Sequence, residues 1–224
     1  MSAVEVGREA AKHGAEGRHV HRDRALTVVE AVVLSLVTLL AAWSGYAAAK
    51  WSTESRLKLA EASATHTKAN RAFQESLTFR VGDATTFNAW FGAYLTGDKD
   101  AIRIAEKRFR PDYRAAFDAW MGTRPFTNPN APPGPQSMPQ YKPTGEAESR
   151  ALDAKADALT SSGEHDGETG DDYVRTTVIL ASVLFLVGIS SHFAIRPVRI
   201  GLLIFASVLL VLAAIAVTRL PVPP

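Results

Sequence analysis

Three long apolar segments constrain this chain more than any other feature. They cover residues 25–49, 173–195 and 200–218, and about 20 mostly apolar residues at 1.5 Å rise each suffice to cross a bilayer as a helix. Of the 25 Lys or Arg and 23 Asp or Glu residues, only Glu30 and Arg175 lie clearly inside these segments. The pattern predicts an all-α membrane protein with three transmembrane helices and a helical extracytoplasmic domain between the first and second.

The distribution of basic residues predicts the orientation of the spans. Positive residues near membrane ends favour the cytoplasmic side, and seven of them precede the first span or separate the second from the third: Arg8, Lys12, Arg18, Arg22, Arg24, Arg196 and Arg199. The predicted order is a basic cytoplasmic tail (1–24), span 1 (25–49), an extracytoplasmic domain (50–172), span 2 (173–195), a cytoplasmic turn (196–199), span 3 (200–218) and an extracytoplasmic C-terminus (219–224). Span 1 is longer than a secretory apolar region and follows a polar tail, which favours a signal anchor over a cleaved signal peptide.

The region between spans 1 and 2 has helical patterning. Apolar residues at steps of three or four from Phe73 to Tyr94 predict that span 1 continues outward as one long helix. A second helix is expected to start at Asp98 or Asp100, to kink or restart at Pro111, and to pack antiparallel on the aromatic half of the first. A short helix over 146–159 and a polar linker over 161–172 complete the prediction.

Residues 123–145 contain seven prolines, which exclude regular helix and favour extended backbone. The segment is interpreted as a strap across the helices, pinned by Phe126, Met138 and Tyr141, or alternatively as a docking surface for a partner. The basic side of the preceding helix, from Arg103 to Arg114, is either a solvated face or a site for an anionic partner.

The stretch AAWSGYAAAKWS (41–52) combines bulky and very small residues. An interfacial anchor is predicted where span 1 leaves the bilayer, formed by Trp43, Tyr46, Lys50 and Trp51. Two rows of small residues that allow close approach of another helix are Ala41, Gly45 and Ala49 in one row and Ser44, Ala48 and Ser52 in the other.

Polar residues inside the spans are the other candidate site. Glu30 lies about two turns inside span 1, where a charge is costly and should face protein or water. A hydrogen bond to His192, beside Ser190 and Ser191, is expected at a similar depth, and Ser35 is a further candidate lining residue. Either these groups fix helix packing, or they take part in proton or ion movement.

Several blocks of sequence resemble a known family. AAWSGYAAAKW, RFRPDYRAAFDAW, TNPNAPPGPQSMPQY and DDYVRTTVILASVLFLVGISSHF resemble an uncharacterised family of bacterial three-span inner-membrane proteins, over roughly residues 25–218. The resemblance implies a bacterial inner-membrane location and the three-span topology. It implies no activity, cofactor or catalytic residue.

Composition and motifs narrow the function classes. The absence of cysteine excludes disulfides and thiolate chemistry, and the net charge of +2 provides no basic field for nucleic acid. No known catalytic fingerprint is present, so we expect no enzyme, cofactor or metal site. The favoured hypothesis is a membrane-anchored structural or interaction protein, a homo-oligomer or partner of another membrane protein, that assembles through span 1 and the long outer helix. The alternatives are an oligomeric ion channel or proton-conducting assembly using Glu30, and a sensor whose outer domain reports to the cytoplasm.

Overall fold

The fold is all-helical, as predicted, in a computed structural model that describes residues 26–190, 192–193 and 195–224 in full and residues 3–25 as helical backbone. The helices are α1 (Ala3–Thr96), α2 (Lys99–Glu106), α3 (Pro111–Gly122), α4 (Glu146–Ser190) and α5 (Arg196–Arg219), with a short 3₁₀ turn at Pro135–Ser137. Helices α1, α4 and α5 each contain a segment long and apolar enough to cross a membrane. The chain divides into two compact units, a first unit (1–57 and 162–224) and a second unit (58–161).

The first unit contains the three apolar segments. Its core joins Val37 of α1 to residues of α4 and α5, including Leu180, Val187, Leu203 and Ala206. Many other large apolar side chains of the same helices are exposed, such as Leu39 and Phe185. A surface of this kind is costly in water but suits a hydrocarbon environment, because lipid tails are as apolar as the side chains that face them.

Small residues bring α1 and α4 close together within the first unit. A Cβ placed on Gly170 would lie 3.3 Å from Ser52 Oγ, and one on Gly167 would lie 3.2 Å from Ser55 Oγ. The prediction of a polar linker over 161–172 was therefore wrong, since these residues continue α4 without a break. Glycine disfavours an isolated helix, but here it allows a close contact that an added side chain would obstruct.

The connection between α4 and α5 lies earlier than expected. Helix α4 ends at Ser190 and α5 begins at Arg196, with Ile195 as its N-cap. Residues 196–199 are thus the first turn of α5 rather than a separate turn. Pro197 explains the shift, because proline fits the first turn of a helix, where its missing N–H has no intrahelical partner.

The second unit has an aromatic core. Trp90 of α1 packs edge-on against Phe117 and Trp120 of α3, at centroid distances of 4.7 and 6.3 Å. The expected packing of the second helical segment on the aromatic part of α1 is confirmed, as are its start and its restart. Asp98 Oδ1 accepts hydrogen bonds from the N–H groups of residues 100 and 101, and Pro111 opens α3.

The proline-rich segment packs against this core as a strap. Trp120 Nε1 donates to the carbonyl oxygen of Pro132 at 2.7 Å, and the Phe126 ring stacks on Tyr94 with centroids 4.4 Å apart. Met138 and Tyr141 also contact the aromatic core. These contacts confirm that the three predicted residues hold the segment against the helices.

Candidate functional site

Glu30 is the centre of a buried polar cluster in the first unit. Only 6% of this residue is exposed. Arg199 donates to both carboxylate oxygens, from Nε to Oε1 at 2.8 Å and from Nη2 to Oε2 at 2.6 Å. Ser190 Oγ donates to Oε1 at 3.0 Å. One carboxylate on α1 therefore binds the last residue of α4 and the first turn of α5.

The geometry of this cluster is that of a structural ion pair. A guanidinium that engages both oxygens of a carboxylate gives a strong and directional contact. Its charge compensates the cost of burying Glu30, and the Ser190 hydroxyl adds a further donor. The arrangement can fix three helices relative to one another, and it engages both carboxylate oxygens of Glu30.

Two other polar residues predicted in the spans, His192 and Ser35, lie in other surroundings. His192 is exposed and lies beyond the end of α4, with Nδ1 3.3 Å from the carbonyl oxygen of Gly188. The expected Glu30–His192 hydrogen bond is replaced by those to Ser190 and Arg199, because α4 ends before His192 and α5 begins before Arg199. Ser35 is exposed and donates to the carbonyl oxygen of Ala31. Ser191 lies outside the described residues.

The predicted interfacial residues divide between two environments. Trp43, Tyr46 and Lys50 are exposed, and the rings of Trp43 and Tyr46 lie 5.9 Å apart. Trp51 instead packs against the cluster formed by Ala47, Ala48 and Tyr173. The first three side chains are thus placed where an anchor could use them, whereas Trp51 belongs to the packing of the first unit.

The two rows of small residues also differ. Ser44 and Ala48 are buried, and Ser52 lies against Gly170 of α4, so this row is used within the chain. In the other row Ala41 is half-buried and packs against the core of the first unit. Gly45 and Ala49 are exposed, and a Cβ added to Gly45 would meet no atom within 4 Å. Gly45 and Ala49 therefore leave a strip of small-residue surface open along α1.

Sequence reasoning missed a second polar cluster, which lies in the second unit. Asp83 of α1 is 2% exposed. Its Oδ2 accepts hydrogen bonds from Tyr141 of the strap at 3.0 Å and from Arg110, the N-cap of α3, at 3.3 Å. Arg110 also donates to Thr144 at 3.0 Å. The cluster connects α1, the start of α3 and the end of the strap. The only signal in the sequence was a carboxylate inside an otherwise apolar and small-residue stripe.

Burial is the main cause of the raised pKa values in this second cluster. Desolvation raises the pKa of Asp83, although the Tyr141 hydrogen bond and the Arg110 charge act in the opposite direction. Burial also raises the pKa of Tyr113 and Tyr141 above the ordinary phenol value. Glu146 behaves differently, because hydrogen bonding from Arg80 lowers its pKa. The Arg80–Glu146 ion pair, at 2.8 Å, joins α1 to the start of α4 within this unit.

The basic side of α2 and α3 is largely paired within the chain. Arg103 pairs with Asp100, and Arg114 pairs with Asp118 and Glu106, in addition to the Arg110 contacts. These pairs favour a solvated face over a site for an anionic partner. Over the described part of the chain, no three His, Asp or Glu side chains group in a way that could hold a metal ion.

Comparisons with protein-family models, with curated proteins and with solved structures find no match. The resemblance to a three-span bacterial family stays a prediction from the sequence.

Proposed function

We propose that this protein is a membrane-anchored structural or interaction protein that self-associates through its first span. The observation that carries the proposal is the difference between the two small-residue rows of α1. The row of Ser44, Ala48 and Ser52 is used within the chain, while Gly45 and Ala49 of the other row are exposed. In a bilayer, where apolar burial gives little driving force between helices, small-residue rows are the surfaces that let helix backbones pack closely.

The part of α1 that follows the first span has a second exposed surface for contact with another protein. Phe73, Leu77 and Val81 are exposed and follow one another at intervals of four residues, so they lie on one side of the helix. They lie on a different side of α1 from the buried residues Ala69, Ala72 and Ser76. We infer that this apolar strip adds to self-association or binds a partner membrane protein.

The alternative of an ion-conducting assembly has less support. Both oxygens of Glu30 are engaged by Arg199, and the Ser35 hydroxyl is bonded to its own helix. A pore built on these residues would first have to break a buried ion pair. The pairing favours a role for Glu30 in holding α1, α4 and α5 together.

The proposed location is a bacterial inner membrane, with the N-terminus cytoplasmic and residues 50–172 extracytoplasmic. It is supported by the basic residues before the first apolar segment and in the first turn of α5, which favour the cytoplasmic side. The exposed rings of Trp43 and Tyr46 suit the opposite interface.

The test is a pair of matched glycine substitutions. Gly45→Leu places a branched side chain on the open row, and Gly201→Leu places the same side chain on α5, where an added Cβ also meets nothing within 4 Å. We expect the wild type to be oligomeric in nanodiscs and mild detergent. Gly45→Leu should weaken association about tenfold or more, while Gly201→Leu should not. Neither should change the thermal stability of the protomer. A monomeric wild type, or equal association in all three proteins, would refute the proposal.

A further inference from the structure

An apolar groove runs between α1 and α5 in the first unit. Its volume is about 510 Å³. Leu26 and Val29 line it from α1, and α5 contributes residues from Ile200 to Leu212, among them Ser207. All but one of its lining side chains are aliphatic. The groove is open to the lipid or solvent that surrounds the apolar segments.

The dimensions of the groove match one fatty acyl chain. Residues 200–212 of a helix span about 18 Å at 1.5 Å per residue, slightly more than half of a hydrocarbon core of about 30 Å. This length is close to that of one phospholipid acyl chain within one leaflet.

The groove walls favour a flexible chain over another helix. Ile200, Ile204, Val208, Val211 and Leu212 are bulky and line the groove along α5. Closely packed helix pairs in membranes use small residues at the contact. A second copy of this chain would be held away by these side chains, whereas a hydrocarbon chain can follow an irregular apolar surface.

Positive charge lies at one end of the groove. Arg196 is in the first turn of α5, one turn before the lining residue Ile200, whereas the guanidinium of Arg199 is already paired with Glu30. The N-terminal end of a helix adds a partial positive charge. Phosphate is the lipid group that arginine and helix N-termini bind best.

We infer that this groove binds one anionic phospholipid, with an acyl chain along α5 and the phosphate beside Arg196. The bound lipid would cover apolar surface between α1 and α5 next to the Glu30–Arg199 pair. The inference rests on the membrane location proposed above but not on self-association, and its residues are separate from the Gly45 row.

The experiment uses the full chain in bilayers of phosphatidylcholine and phosphatidylglycerol at a 4:1 ratio, followed by transfer to mild detergent and native mass spectrometry. Ser207→Phe fills the groove. Ser182→Phe is its matched control, since Ser182 is exposed on α4 and does not line the groove. We expect one retained phospholipid per wild-type chain, at least fivefold enriched in phosphatidylglycerol. Ser207→Phe should reduce retention about tenfold, and Ser182→Phe should leave it unchanged.

A second pair of variants tests the headgroup. Arg196→Gln should keep the lipid but lose the preference for phosphatidylglycerol, while Arg219→Gln at the other end of α5 should keep both. Equal retention in the wild type and Ser207→Phe would overturn the inference. So would a wild type without lipid enrichment, or a Ser207→Phe protein that changes its oligomeric state and not its lipid content. A failure of self-association in the Gly45 test would not affect these results.

Discussion

Removal of Arg199 should destabilise the protein more than removal of any other single charge in the first unit. Arg199→Gln leaves the Glu30 carboxylate buried, with the Ser190 hydroxyl as its remaining described donor. Breaking one partner from a buried ion pair costs about 3–5 kcal/mol, because the other charge stays desolvated. We expect a loss in this range for the free energy of unfolding of Arg199→Gln.

Removal of the carboxylate should cost less. In Glu30→Gln the Arg199 side chain, which is 18% exposed, can extend toward the surface and keep much of its solvation, as long basic side chains do near membrane ends. In the double variant Glu30→Gln/Arg199→Gln neither charge is left unpaired. It should therefore be more stable than Arg199→Gln alone, with a coupling of at least about 2 kcal/mol between the two sites.

The assay is reversible unfolding of the full chain in mixed micelles, with helicity recorded against the fraction of denaturing detergent. Arg196→Gln is the control, because it removes a charge from the same turn of α5 and keeps the two Arg199–Glu30 hydrogen bonds. The explanation would be refuted if Arg199→Gln and Arg196→Gln had equal effects, or if the two single losses added in the double variant. In either case the Arg199–Glu30 contact would position the helices but add little to the free energy of unfolding.

Two further predictions concern the second cluster and the contact between α1 and α4. Asp83 has a folded pKa raised above its ordinary value by burial, so the folded state holds its proton more tightly than the unfolded state. Its contribution to stability is then complete below the unfolded pKa, near 3.8, and is lost as the pH rises through the higher folded pKa. Asp83→Asn should therefore reduce the pH dependence of the unfolding free energy measured between pH 3.5 and 7. An unchanged pH dependence would contradict the assignment to Asp83. Gly170→Leu should lower stability by about 1–3 kcal/mol through overpacking against Ser52 and Ala48, as measured by thermal unfolding beside Gly201→Leu, and equal melting temperatures for the two would contradict the close contact.

The parts of the fold that the sequence predicted are those with strong local signals. The three apolar segments, the aspartate cap at residue 98 and the restart at Pro111 each depend on a few neighbouring residues, and the structure agrees with them. The aromatic spacing in α1 and α3 likewise led to the correct packing partners. Such features need no knowledge of distant parts of the chain.

The polar partners could not be found in the same way. Glu30 is separated from Arg199 by 169 positions and Asp83 from Tyr141 by 58. Each pairing depends on where a helix ends. A shift of a few residues in the α4–α5 connection was enough to replace the expected His192 by Ser190 and Arg199. The burial of Glu30 was predictable from its cost in an apolar segment, but the identity of its partners was not.

The error over residues 161–172 has a specific cause, and the sequence contained the means to avoid it. Glycine and acidic residues in this stretch indicate a linker when only local propensity is considered. Yet small residues recur every seventh position in α4, at Ser149, Ala156, Gly163 and Gly170, and all four are buried. Helix α1 has a matching series of buried small residues at Ala48, Ser55, Ala62, Ala69 and Ser76. A seven-residue repeat of this kind is typical of helices that pack along one seam. Such a repeat in both segments predicts two paired helices. The glycines weaken α4 as an isolated helix, but they are also the residues that let it approach α1.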